Sequence, residues 1–292
     1  DVGTYAIGQG TLTAGGNYSI AYTGANLTIS EKPLTITADN QTKVYGQIDP
    51  ALSYQVTSGT LESGDVITGS LTRDAGEDVN TYAITQGTLT VSGNYALTFI
   101  PGNLSITKAD AVVTVNGYTG VFDGGAHGAS GSATGVNAED LSGSLNLGAT
   151  FTNVPGGNAN WTFTGGQNYN DQSGSVAITI TKADPTIVVT PYSVTYDGNP
   201  HTAVGSATGV NAEDLSSLLD LSNTTHINAG TYNGDAWSFA GDANYNAANG
   251  TVDNAISTIP ASVTPDAQSK VYGASDPLLT GTLSGFLPGD AV

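Results

Sequence analysis

The chain contains no cysteine and no methionine, and only 6 of its 292 residues are lysine or arginine. Without cysteine there is no disulfide framework, no thiolate zinc site and no cysteine nucleophile. With methionine also absent, the main oxidation targets are gone. Against the 6 basic side chains stand 25 acidic ones, a formal charge of −19. That balance repels phosphate backbones and anionic lipid, which argues against nucleic-acid and membrane-surface partners. No apolar run approaches the roughly 18 residues of a spanning helix, so no membrane insertion is expected. Charged residues make up only 11% of the chain, yet the hydrophobic 38% includes aromatic content too high for a disordered tail. The chain is expected to fold.

What is abundant is glycine (39) and threonine (40), the material of turns and strands. Internal repeats explain it. DVGTYAIGQGTLT, from residue 1, recurs as DVNTYAITQGTLT from residue 78, and HGASGSATGVNAEDL at 127–141 matches HTAVGSATGVNAEDL at 201–215 in 13 of 15 positions. Tyrosines supply a common ruler. Tyr18, Tyr95, Tyr169 and Tyr245 each follow Asn, and 11 residues after each comes Ile29, Ile106, Ile180 or Ile256. Sixteen residues further on stand Tyr45, Phe122, Tyr196 and Tyr272, followed by Gly46, Gly124, Gly198 and Gly273, at once or after one Asp. The repeat is 77, 74 and 76 residues long, tyrosine to tyrosine.

On this frame 32–108 is one complete module of a first type, and 109–182 and 183–258 are two of a second type. Residues 1–31 are the closing half, and 259–292 the opening half, of further first-type modules. Both ends are expected to fall inside modules, as in a fragment or processed piece.

Modules close with NLTIS, NLSIT, AITIT or NAIST and reopen with LTIT, VVTV, TIVVT or SVT. Period-two alternation of this kind predicts half-buried strands, with Leu34 and Ile36 facing in and Thr35 and Thr37 facing out. The expected fold is all-β: tandem small modules, each an Ig-like β-sandwich or a β-grasp-like arrangement with one short helical turn, in an elongated rod. The helical turn is placed at Asn137–Leu141 and its copy Asn211–Leu215, with Asn as cap. The joints ITKADAVVTV and ITKADPTIVVT leave little slack, unlike a Gly/Ser tether. Four modules of roughly 30 Å each would span on the order of 120 Å. The tyrosines with Trp161 and Trp237 are the expected core anchors.

KPLTITADNQTKVYGQIDPALSYQV, continuing to NYALTFIPGNLSITKAD, resembles the MBG-type (YGX) repeat of large bacterial surface and secreted proteins. VFDGGAHGASGSATGVNAEDL and VTYDGNPHTAVGSATGVNAEDL are similar to the YDG-type repeat that accompanies it, with Phe122 replacing the tyrosine in the first copy. The resemblance implies an extracellular location at the bacterial cell surface, tandem arrangement in filamentous-haemagglutinin-like adhesins, and no catalytic residues to carry over. It points to a non-enzymatic stalk. Two rival readings are repeats that are themselves adhesive, with host or surface glycans or proteins as partners, and a filament subunit whose half-modules at 259–292 and 1–31 complement each other between like chains.

Candidate chemistry is sparse. Asp123 with His127, and Asp197 with His201, could form a dyad, but one imidazole per module is thin for zinc, and the DG turn accounts for the aspartate. His226 has no counterpart and reads as solvated. Asp123, Glu139, Asp140, Asp197, Glu213 and Asp214 are weak calcium candidates, since calcium wants six to eight oxygens and no D-x-D-x-D-G loop is present. Trp161 and Trp237 are weak candidates for stacking on a sugar and equally fit a shared core. No catalytic or metal residue is expected, and no cofactor beyond that calcium alternative.

Overall fold

A computed structural model describes residues 1–289. The alternation in the sequence makes its strands. In Lys32–Ala38 the side chains of Leu34, Ile36 and Ala38 are buried while Thr35 and Thr37 are half-exposed, so one face of the pleat leaves water. This strand pairs antiparallel with Tyr54–Ser58 and parallel with Tyr95–Ile100 in a three-stranded sheet. A four-stranded sheet runs in the order Gln41–Val44, Gly102–Thr107, Thr81–Thr85, Thr72–Arg73, its first pair parallel and the others antiparallel. Ala38, Ile84, Leu104 and Ile106 form the core, with Tyr82 and Phe99 packed on it.

Residues 109–182 and 183–258 share a second plan. A two-stranded sheet joins Val112–Asn116 to Ser130–Thr134, and in the copy Thr186–Thr190 to Val204–Thr208. A four-stranded sheet runs Tyr118–Val121, Gln172–Thr181, Gly156–Phe163, Leu145–Asn146, matched by Ser193–Thr195, Ala248–Ser257, Gly230–Phe239, Leu219–Asp220. Its first strand is again parallel to the closing strand. The fold is therefore all-β with two sheets per complete module, the sandwich-like alternative.

In the end segments Gly3–Ile7 pairs with Ala25–Ile29, and Ser262–Pro265 with Gly281–Ser284. Leu12, Tyr18, Ile29, Tyr272 and Leu278 are exposed there. The last three residues of the 259–292 segment lie outside the described residues.

The helical turn is misplaced in the sequence reading. Asn137–Leu141 is a tight turn with Ala138 at φ 62°, and Ala212 at 59° repeats it. The backbone N–H of Gly135 donates to Glu139 O, and the Glu139 carboxylate folds back onto the Asn137 N–H. The segment closes on itself instead of propagating, and single 3-10 turns follow at Ser142–Ser144 and Ser216–Leu218.

Two compact units make up the chain: 1–115 with 131–146 and 161–174, and 116–130 with 147–160 and everything from 175 onward. Successive repeats share cores within them. In the second unit Phe122 and Ile180 pack with Ala183, Ala207, Phe239 and Tyr245. In the first, Tyr45 packs against Ala109, Ala111, Ala133, Phe163 and Tyr169.

Candidate functional site

Tyr45, Phe122, Tyr169 and Tyr245 converge on the joints between successive repeats, whereas Tyr18, Ile29 and Tyr272 of the same frame are exposed. Each T-K-A-D linker is stitched residue by residue. Ala109 and Ala183 are buried, and each forms a parallel bridge to the frame tyrosine of the module it opens, Tyr169 or Tyr245. Around that bridge the Ala109 N–H donates to Asn168 O and the Asn170 N–H to Ala109 O, with Ala183, Asn244 and Asn246 repeating the pattern. Lys108 Nζ donates to Gly166 O at 2.7 Å, and Lys182 likewise donates to Asp242 O. Asp110 and Asp184 accept from Asn170 Nδ2 and Asn246 Nδ2 at 2.7 Å. A linker with every residue so engaged has little freedom to hinge.

The asparagines before Tyr95, Tyr169 and Tyr245 each reach back to the preceding repeat. Asn168 Oδ1 accepts from the Val79 N–H at 2.9 Å while its Nδ2 donates to Asp78 Oδ1 at 2.8 Å. Asn94 does the same to Val2 and Asp1, at 3.0 and 3.1 Å. Asn244 repeats it on Val154 and Asn153, at 3.1 and 3.0 Å.

The tyrosine itself is held in the same way each time. Tyr169 Oη accepts from the Val136 N–H and donates to Glu139; Tyr245 Oη accepts from Val210 and donates to Glu213. In residues 32–108 the partners of Tyr95 are the Glu62 N–H and Asp65. Burial, then the hydrogen bond to Glu139, pushes the Tyr169 hydroxyl up to about 12. The same two causes raise Tyr245, and the tyrosine hydroxyls hold Glu139 and Glu213 below the usual carboxylate range.

Against these tyrosine rings stand the aromatics of the preceding Y-G or F-D-G turn. Tyr45 meets Tyr169 edge-on at 5.4 Å, and Phe122 meets Tyr245 at 5.5 Å. The turn glycine lets the next repeat come close. Gly46 and Gly124 have φ of 80° and 78°, and a Cβ there would fall 2.4 Å from Val136 Cγ2 and 1.8 Å from Asn211 Nδ2. Both requirements exclude a side chain.

The carboxylates proposed for calcium are engaged in turns. Asp123 and Asp197 accept from the backbone N–H of Gly125 and Asn199 and from Nε2 of His127 and His201 at 2.9 Å. Asp197 is drawn down to about 2, chiefly by the Asn199 N–H. Asp140 and Asp214 hold the N–H of Ser142 and Ser216, while Glu139 and Glu213 face the tyrosines. Among the described residues no three His, Asp or Glu side chains gather in a geometry able to hold a metal ion.

His226 is not merely solvated. Its backbone bridges to His201, its ring stacks on Tyr232 at 3.5 Å, and Nε2 lies 2.9 Å from Asp235 Oδ2. It occupies the place that Phe151 takes opposite His127. Trp161 and Trp237 are half-buried, each lying over a glycine of the neighbouring strand; a Cβ at Gly174 or Gly250 would come within 2.6 or 2.4 Å of the indole. Phe163 and Phe239, two residues on, take the fully buried positions.

The sequence reading also missed an ion network. Lys43, with a side chain 3% exposed, lies 2.7 Å from Asp49 and 2.5 Å from Glu77, and Arg73 bridges the same two carboxylates. These cations hold both carboxylates below their ordinary values.

The MBG domain (YGX type) family model matches residues 34–105 and 261–292. The model thus finds this domain type at two places, together about a third of the chain. The first matched stretch supplies Tyr45, Gly46, Asp78 and Val79 to the joint with residues 109–182. No curated protein matches the sequence. A solved structure, "Sidekick-1 immunoglobulin domains 1-5", is similar at 14% identity over 77% of this chain and 61% of its own, with a TM-score of 0.25. The chain therefore spans less than two thirds of that structure, and a likeness this loose carries no argument.

The clamp asparagines left a legible trace. In GNY, GNY, QNY and ANY the residue before Asn varies while Asn does not, and D-V, D-V and N-V recur at 1–2, 78–79 and 153–154. What the sequence could not show is that these two strings meet.

Proposed function

We propose that this chain is a non-enzymatic spacer in an extracellular bacterial surface or secreted adhesin-like protein, where MBG domains and their partner modules set other parts at a distance. The observation that carries the reading is the joint. Linker, asparagine clamp, tyrosine and turn glycine all hold one repeat against the next, an arrangement suited to transmitting position and force. The acidic surface supports it too. All six basic side chains are engaged within the chain: Lys32 with Glu62, Lys43 and Arg73 in their network, Lys108 and Lys182 on loop carbonyls, and Lys270 with Asp276. The excess negative charge discourages like chains from aggregating and offers nothing to phosphate.

The lack of cysteine makes the test clean. Spin labels at Gly93→Cys and Gly143→Cys, both open positions on consecutive repeats, should give one narrow distance distribution. A broad or bimodal one would remove the spacer reading. Binding of the intact chain to immobilised glycans would favour the adhesive alternative.

A further inference from the structure

The three asparagine clamps do not respect module type. Asn94 joins residues 1–31 to the MBG domain, Asn168 joins the MBG domain to the first YDG-like module, and Asn244 joins two YDG-like modules. The acceptor is always two residues: a side-chain oxygen, from Asp1, Asp78 or Asn153, then an outward backbone N–H, from Val2, Val79 or Val154. A carboxamide suits this pair because it offers one acceptor and two donors at once. It can therefore read either a carboxylate or a second carboxamide.

We infer that this asparagine is a type-independent docking plug, and that Asn228–Ala229 is a further copy of its acceptor, shaped for the Asn-Tyr hairpin of a β module of either type. The placement of Asn228–Ala229 follows from two matches. Gly230 pairs with Ile256 as Gly3 pairs with Ile29, so Asn228 and Ala229 stand where Asp1 and Val2 do. Tyr232 Oη donates to Asn228 O as Tyr5 Oη donates to Asp1 O and Tyr82 Oη to Asp78 O. Ala229 is exposed, and its N–H has no hydrogen-bond partner among the described residues. The surface around Gly198, the turn glycine of the same module, already abuts Leu287 of the segment that follows. Partner choice along the array is then set by the plug and its acceptor and not by module class.

Charge exchange in the full chain separates this recognition from ordinary packing, read by amide hydrogen exchange at Val79 and Val154. Asn168→Asp places a carboxylate against Asp78 and should cut Val79 protection about tenfold, the equivalent of one lost hydrogen bond. Asn168→Asp combined with Asp78→Asn should restore protection to within about twofold. Asn244→Asp faces Asn153, whose amide can turn to donate, and should leave Val154 protected. Equal losses in Asn168→Asp and Asn244→Asp, or no rescue by Asp78→Asn, would overturn the proposal. A joint that passes this test yet flexes between the spin labels would sink the spacer reading alone.

Discussion

The ring of Phe122 meets the ring of Tyr245 edge-on, with centroids 5.5 Å apart and planes at 82°, although the two stand 123 residues apart in sequence; the Tyr45–Tyr169 pair repeats the contact at 5.4 Å and 78°. The pair joins one repeat to the next, and the missing hydroxyl of Phe122 costs nothing there because the contact uses only the ring. Edge-to-face pairs contribute about 0.5–1.5 kcal/mol beyond the area they bury. Phe122→Tyr should therefore be close to neutral. Phe122→Ala should destabilise by about 3–5 kcal/mol, since it also opens a cavity against Ile180 and Phe239. Urea unfolding of the two variants checks this, and a neutral Phe122→Ala would contradict the shared core.

The turn glycines should differ among themselves. Gly124→Ala meets both a φ of 78° and Asn211 Nδ2, whereas Gly273→Ala meets only a φ of 85°, with nothing within 4 Å. Left-handed strain alone costs about 1 kcal/mol. Gly124→Ala is expected to exceed that by about 0.5–1.5 kcal/mol, because the Asn211 carboxamide must swing off its hydrogen bond to Asp123 O to make room. Similar melting temperatures for the two variants would mean that the repeats do not press together at Gly124.

Acid should weaken the joints. The folded-state values of Glu139 and Glu213 lie below the ordinary 4.5, and that of Asp197 falls to about 2 from 3.8. A depressed carboxylate contributes stability above its unfolded value and loses it as pH falls through the folded one. Chemical stability should be flat from neutrality to about pH 5 and then drop toward pH 2. Glu139→Gln combined with Glu213→Gln should shallow that drop.

Alkali should act on the other partner. With Tyr169 at about 12 in the fold against 10.0 in the open chain, its contribution is complete below pH 10 and declines between 10 and 12, because the unfolded chain ionises first. Tyr169→Phe keeps the ring contact, removes this part of the slope, and should cost about 2–4 kcal/mol at neutral pH for the two lost hydrogen bonds, one of them to a carboxylate.

The ion network of residues 32–108 should prove asymmetric. Lys43→Met keeps the packing and leaves Arg73 to hold Asp49 and Glu77, so a loss under about 1.5 kcal/mol is expected. Asp49→Ala combined with Glu77→Ala strands a buried ammonium and should cost about 3 kcal/mol or more. The reverse order, measured by thermal unfolding, would show that the carboxylates and not the lysine are dispensable.

Much of the architecture was legible in residue spacing. Threonine alternating with Leu34 and Ile36 specified strands with one wet face, and the 11- and 16-residue intervals between tyrosine, isoleucine and the next aromatic placed the repeats, because a period-two pattern and a fixed repeat length are local properties of the chain. Asn137–Leu141 misled for an equally local reason. Asn, Glu and Asp suit a helix start, but Glu139 is drawn to Tyr169, a partner some thirty residues away, and the backbone takes a positive φ instead.

The sequence by itself determined a cysteine-free, acidic, strand-forming chain with two kinds of internal repeat, since composition, alternation and self-similarity need no third dimension. Only the tertiary structure decided what the recurring residues are for. Asn168 and Val79 stand 89 residues apart and touch at 2.9 Å, Gly124 is small because Asn211 lies over it, and Trp161 covers a glycine while Phe163 fills the core. Each of these depends on which surfaces of successive repeats close on one another, and contact across such distances is fixed by packing, not by order along the chain.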